Sequence, residues 1–181
     1  MNETSALRQQ LLVLAHYNAW ASARLLAALD QIDDTDYRRE LGLFFGSIHG
    51  TLNHLLVGEH GLWYPRFVRG ESPRLALNAE IETDRARVRE RLLEGAARWA
   101  PFIAQLSPER LAGRIDYSSS SGVPLSLPFA PTLIHVFNHG THHRGQITAA
   151  LTALGQTAPE LDLVYMLVEQ NALPSAEMPP S

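Results

Sequence analysis

Apolar residues recur along this chain at the spacing of helices. Over residues 6–29, Leu11, Leu14, Ala15, Asn18, Leu25, Leu26 and Leu29 repeat at three and four residues, the pattern of an amphipathic helix turning one stripe toward a core. Thr4 or Ser5 can cap its start, and Trp20 is expected in the core. Residues 30–41 are polar and acidic and read as a connection holding one helical turn. A second helix is expected from Gly46 or Ser47 to Val68, broken by Gly70 and Pro73. A third is expected over 79–106, burying Ile81, Val88, Leu92, Leu93, Ala96, Trp99, Phe102 and Ile103, with Pro101 kinking or ending it.

Residues 113–128 change character. Two short apolar segments flank a glycine turn at 118–122, so this stretch reads as a small hairpin or an irregular loop, and its prolines make it an edge or a lid. A fourth long helix follows over 131–154, with Pro131 in its first turn and Gly155 at its stop. A short amphipathic helix is expected over 161–171, and residues 174–181 are expected to form a disordered tail. Four long amphipathic segments with one weak strand signal predict an all-α protein, a four-helix bundle over residues 1–173. The long connection before the fourth helix leaves the order of helices around the bundle open.

Composition removes several chemistries. With 181 residues, the chain fits one domain. It has no cysteine, so disulfides, iron–sulfur clusters, thiolate zinc sites and a cysteine nucleophile are excluded, and any thiol must arrive with a ligand. All fifteen basic residues are arginine, which excludes lysine-centred covalent catalysis. A net charge of -4 argues against a nucleic-acid partner. The densest basic run, Arg85, Arg87, Arg89 and Arg91, is interleaved with Glu82, Asp84, Glu90 and Glu94 and reads as a solvated, ion-paired face. The N-terminus lacks a positive leader region and no apolar run approaches the roughly 20 residues that span a bilayer, so a cytoplasmic protein with no membrane partner is expected.

Four of the eight histidines fall between residues 135 and 147. At about 100° per residue, His135, His139 and His143 form one stripe, with His142 at its edge and Val136, Ile147, Leu151 and Leu154 beside it as a core-facing band. Imidazoles four residues apart can converge on one transition metal. The ordinary alternative is a histidine at the core edge bonded to a carbonyl. Gly140 follows His139 where a zinc metalloprotease helix carries its glutamate, which excludes that chemistry. In the second helix, His49 and His60 nearly coincide in angle while His54 points roughly 120 to 140° away, so only one set can face the fourth helix. Gly50, Thr51, Val57, Gly58 and Gly61 make a small-residue patch around His54, suited to close helix approach or to a ligand.

Three runs then carry a resemblance: Ser-Ile-His-Gly-Thr-Leu-Asn-His-Leu-Leu at 47–56, Asn-His-Gly-Thr-His-His-Arg-Gly-Gln at 138–146 and Asp-Leu-Val-Tyr at 162–165. Over nearly its whole length the chain resembles the DinB/YfiT-like family of bacterial metal-binding helical bundles. The resemblance implies an open site formed by one second-helix histidine and the fourth-helix pair, here His54, His139 and His143. His135 and His142 are then left for hydrogen bonding near the site, His49 and His60 for structure, and Gln146 for orienting a ligand or bound water. Three neutral imidazoles suit zinc and nickel alike, and occupancy is expected to fall as pH drops below about 6.5. For function the resemblance implies two lines. One is metal-dependent transfer of a small-molecule substrate involving a low-molecular-weight thiol; the other is a stress-associated protein with no assigned reaction. A metal-dependent hydrolase would use the same ion. The resemblance leaves open whether the chain is an enzyme, and no carboxylate at a motif position offers itself as general base. A homodimer is expected from the resemblance and from the apolar stretches Leu11-Leu12-Val13-Leu14 and Leu41-Gly-Leu-Phe-Phe.

Overall fold

The first apolar stripe becomes α1 (Glu3–Leu29), which already contains Thr4 and Ser5, so neither caps it. The computed structural model describes residues 3–172; the tail expected at 174–181 lies outside them. The acidic connection holds its one short helix, α2 (Asp34–Arg38), started by the Asp33 side chain accepting from the Asp36 N–H. Ser47 caps the second long helix, its side chain accepting from the Gly50 N–H. That helix has three parts on one continuous path: α3 (Ile48–Leu55), a π-helical segment (Leu56–Trp63) and α4 (Tyr64–Arg69), closed by Gly70 at φ 66°. The wider turns of the π segment void a 100° count carried from His49 to His60.

The third helix starts six residues later than the sequence suggests, as α5 (Arg85–Ala97) capped by Asp84. The cause is Asn53. Its amide donates to the Glu82 carbonyl and accepts from the Glu82 N–H, both at 3.0 Å, and this two-point grip holds the backbone out of a helix there. Pro101 ends α5 from a distance: its ring excludes the carbonyl four residues back, and α5 stops at Ala97 before α6 (Trp99–Ala104) resumes. A short α7 (Pro108–Ala112) leads into an antiparallel hairpin, β1 (Arg114–Ser118) and β2 (Pro124–Pro128), where the sequence placed it. Then come α8 (Phe129–Ala153) and α9 (Leu163–Ala172).

The fold is thus an all-α bundle with a small hairpin insertion and a C-terminal helix. α1 packs on α5, α6 and α8, and the second helix packs on α5 and α8. First and second helices therefore lie diagonally, and the bundle is not a simple up-and-down one. No helix of the described residues is long and apolar enough to cross a membrane.

The core has two apolar halves. One gathers Leu25, Leu29, Ile48, Leu52, Leu56, Val88 and Ile147; the other gathers Leu11, Ala15, Phe67, Trp99, Ile103, Leu133 and Phe137. Between them, on α1, lies Asn18, fully buried. Leu11 is in the core, with Leu12 and Leu14 packed against it, and Val13 lies against the cluster under α9. Leu41 and Leu43 pack on the first half. The apolar stretches that suggested an interface are therefore used within the chain, apart from Phe44, which is 83% exposed. Trp20 corrects its expectation: it is half-buried beneath α9, and its indole N–H donates to Glu169 at 2.7 Å.

Candidate metal centre

His139 and His143 stand one turn apart on α8, their Nε2 atoms separated by 3.1 Å. His54, near the end of α3, brings its Nε2 to 3.0 Å from that of His139. One nitrogen from each ring lies within 4.8 Å of the other two, and the cluster contains no carboxylate. Two nitrogens bonded to one tetrahedral zinc at about 2.05 Å stand about 3.3 Å apart, so the spacing is within a few tenths of an ångström of a metal site.

Hydrogen bonds behind the rings decide which nitrogen faces inward. His54 Nδ1 donates to the Leu77 carbonyl, and His143 Nδ1 donates to Gln146 Oε1, each at 2.8 Å. Gln146 is itself oriented by its amide nitrogen donating to His142 Nε2 at 3.3 Å. Both rings are thereby held as the tautomer whose Nε2 lone pair points at His139. His139 Nε2 can give a proton to one of them but not to both. A lone pair then faces a lone pair unless a cation stands between them. His139 Nδ1 is buried with no hydrogen-bond partner among the described residues. The donor set fits a cation and is left incomplete by hydrogen bonding alone.

Burial lowers the pKa of all three rings. His139 is lowered to about 3, first by burial and then by the neighbouring histidines. His143 is lowered to about 4 by burial, against the pull of Gln146. His54 is lowered by burial, opposed by its bond to Leu77. All three are neutral at pH 7, the form that ligates metal.

Close packing shapes the site. Phe45 stacks flat on His54, with ring centroids 3.8 Å apart and planes 16° from parallel, and lies 5.6 Å from His143. A Cβ at Gly58 would stand 3.3 Å from His139 Cε1, so this glycine lets the π segment lie against α8. The rest of the small-residue patch serves other neighbours: Gly50 meets the Phe45 carbonyl and Gly61 meets Leu75. A cavity of about 560 Å³ lies beyond Phe45, lined also by Phe44, His49, Asn53, Leu77 and Glu80, but by none of the three histidines.

The remaining histidines stay outside the cluster. His49 is buried, with its Nε2 at 3.0 Å from Glu80 and 3.2 Å from the Asn53 amide. His60 packs on Gly95, where a Cβ would come within 2.5 Å of its ring, and burial followed by the charges of Arg98 and Arg91 lowers its pKa to about 3. His16 and His142 are exposed. His135 lies one turn before His139, with ring centroids 5.8 Å apart.

A buried polar layer behind the cluster escaped the sequence reading. Asn18 donates to Glu59 at 3.0 Å and accepts from Arg144 at 2.6 Å, so it bridges an acid and a guanidinium across three helices. Arg144 also donates to Ser22 at 3.3 Å and Thr141 at 3.2 Å. Burial pushes the Glu59 carboxyl up, opposed by the Arg144 charge and the Asn18 amide. One signal was available: Arg144 falls on the same stripe of α8 as Phe137, Ile147 and Leu151, where an arginine needs buried partners.

The chain is similar to Protein DinB of Bacillus subtilis (strain 168), 29% identical over 155 residues that cover 82% of this chain and 88% of the relative. The model of the DinB family matches residues 1–173, and the chain belongs to that family.

Proposed function

We propose that His54, His139 and His143 bind one divalent transition metal, zinc or nickel, and that the chain is a metal-dependent transferase using a low-molecular-weight thiol. The observation that carries the metal reading is the pair of outer hydrogen bonds, from His54 to Leu77 and from His143 to Gln146, which turn two lone pairs onto a third ring with no protein proton to satisfy both. Three protein ligands leave a fourth position for water or substrate, whereas structural zinc sites are usually closed by four. A metal held by the three rings would favour the thiolate, the nucleophilic form, of an entering thiol, whose proton would pass to solvent. The sulfur would then bond to an electrophilic carbon as the leaving group departed with the electron pair of the broken bond. Because the chain has no cysteine, that thiol is a co-substrate.

The competing readings use the same ion differently. A hydrolase would bind water there and lower its pKa to about 7, and a stress-associated protein would use the metal for stability alone. The discriminating experiment supplies metal-loaded protein with small thiols and a chlorinated aromatic electrophile, and separately with esters and amides. Turnover only with thiol, lost in His139→Ala with the fold intact, is the expected result. Ester or amide cleavage without thiol would replace this reading with the hydrolase. No turnover with any pair, together with a large fall in Tm on chelation, would replace it with the structural role.

A further inference from the structure

A second cavity, of about 300 Å³, opens between the hairpin and the first turns of α8, lined by Trp63, Tyr117, Leu127, Pro128, Pro131, Thr132 and His135. Its walls are rings set edge to face: Trp63 meets Tyr117 at 5.2 Å and His135 at 5.5 Å. The Arg66 guanidinium lies over Trp63 at 4.8 Å and over Tyr117 at 4.6 Å, and it donates to the Ser118 carbonyl at 3.1 Å, which fixes both rings from behind. No acidic or permanently cationic side chain lines the cavity. An ionic group entering it would lose hydration and find no charged side chain in the lining, the Arg66 guanidinium lying behind the rings.

One residue links the cavity to the histidine cluster. His135 lines it, and the His135 ring is 5.8 Å from that of His139. Leu127, 36% exposed on β2, forms part of its open side.

We propose that this cavity is the substrate's recognition subsite, and that it takes a neutral aryl group whose reactive end lies at the His54, His139 and His143 cluster. This rests on the metal-dependent reading and specifies its substrate class. The size agrees: an apolar cavity of roughly 150 Å³ accepts a benzene, so this one holds one or two rings. The ring walls offer the edge-to-face contacts that aromatic groups prefer. Aliphatic groups of the same volume would fill the space without those contacts.

Two measurements test the subsite, and the first needs no metal. In metal-free protein, 2-naphthol is titrated while the Trp63 indole N–H resonance, assigned by its loss in Trp63→Phe, is followed by NMR. The signal is expected to shift saturably, and Leu127→Asp is expected to weaken binding at least tenfold. Leu127 lies at the surface of β2, and Leu127→Ser provides a second, uncharged variant. In metal-loaded protein, 3-phenylpropanohydroxamate is expected to bind about 30- to 100-fold more tightly than acetohydroxamate, the worth of burying one phenyl ring. Leu127→Asp should erase that advantage and leave acetohydroxamate unaffected. A stationary Trp63 signal, or an aryl advantage unchanged in both Leu127 variants, overturns the proposal. If neither hydroxamate binds while 2-naphthol still moves Trp63, the metal reading fails and the aryl subsite stands.

Discussion

Gln146 accepts the Nδ1 proton of His143 one turn along α8, at 2.8 Å, and so decides which nitrogen of that ring faces His54 and His139. Such partners behind a metal-ligating histidine typically contribute 10- to 100-fold in metal affinity. Gln146→Ala should therefore weaken metal binding by about that factor with little change in fold, while Gln146→Glu, which keeps an acceptor, should hold near wild-type affinity. Competition with a coloured chelator measures both. Equal affinity in Gln146→Ala and wild type would remove Gln146 from the site.

Gly140 explains itself through the acid on the facing segment. A Cβ there would stand 2.5 Å from Glu59 Oε1, 2.9 Å from Asn18 Oδ1 and 3.0 Å from Arg144 Nη1. Gly140→Ala should cost about 1–3 kcal/mol by overpacking, against the roughly 1 kcal/mol by which alanine favours a helix. Gly145→Ala on the same helix meets nothing within 4 Å and should gain up to about 1 kcal/mol. Urea denaturation of the pair gives the signs, and a stabilised Gly140→Ala would mean the polar layer is looser than it stands here.

Acid should destabilise the metal-free chain over a defined window. His60 and His139 are lowered to about 3 and His143 to about 4, against about 6.5 when unfolded. Between those values the unfolded chain binds more protons than the folded one, so stability rises with pH through the window and these groups add no slope above about 6.5. The denaturation midpoint should fall from pH 7 to pH 4.5; an unchanged or rising midpoint would contradict the burial of these rings. The same shift moves the expected loss of metal. The folded cluster stays neutral below pH 6.5, so metal should be retained at pH 5.5 and released only as pH falls toward about 4.

A homodimer is a proposal that has lost its first motive, since the Leu11 to Leu14 stretch is packed within the chain. An apolar surface does exist on α9, where Val164, Leu167 and Val168 are exposed at helical spacing. A dimer of this 20.1 kDa chain should scatter light as about twice that mass at micromolar concentration, and a mass of one chain would end the proposal.

What could be read from the sequence was what is local. Periodicity gave the first, second and fourth long helices to within a few residues, the third began six residues later than its pattern suggested with Pro101 marking its break, and the spacing of His139 and His143 needed only one helix. His54 was different. Its angle relative to His49 showed that the two could not serve together, and the family's motif, not the spacing, selected between them. The π segment and the Asn53 grip on Glu82 arise from contacts between distant parts of the chain, and no local pattern announces them. The same holds for Asn18, which the apolar spacing absorbed as one more core position although it carries the polar layer.

Metal content of the folded protein tests the central claim most directly. Wild type, His54→Ala and His143→Ala are to be purified identically, incubated with zinc and with nickel, desalted and analysed, with circular dichroism confirming the fold of each. About one metal per chain in wild type, and a loss of most of it in both variants, is the expected result. Equal, high metal content in all three would contradict the assignment of His54, His139 and His143 as the site.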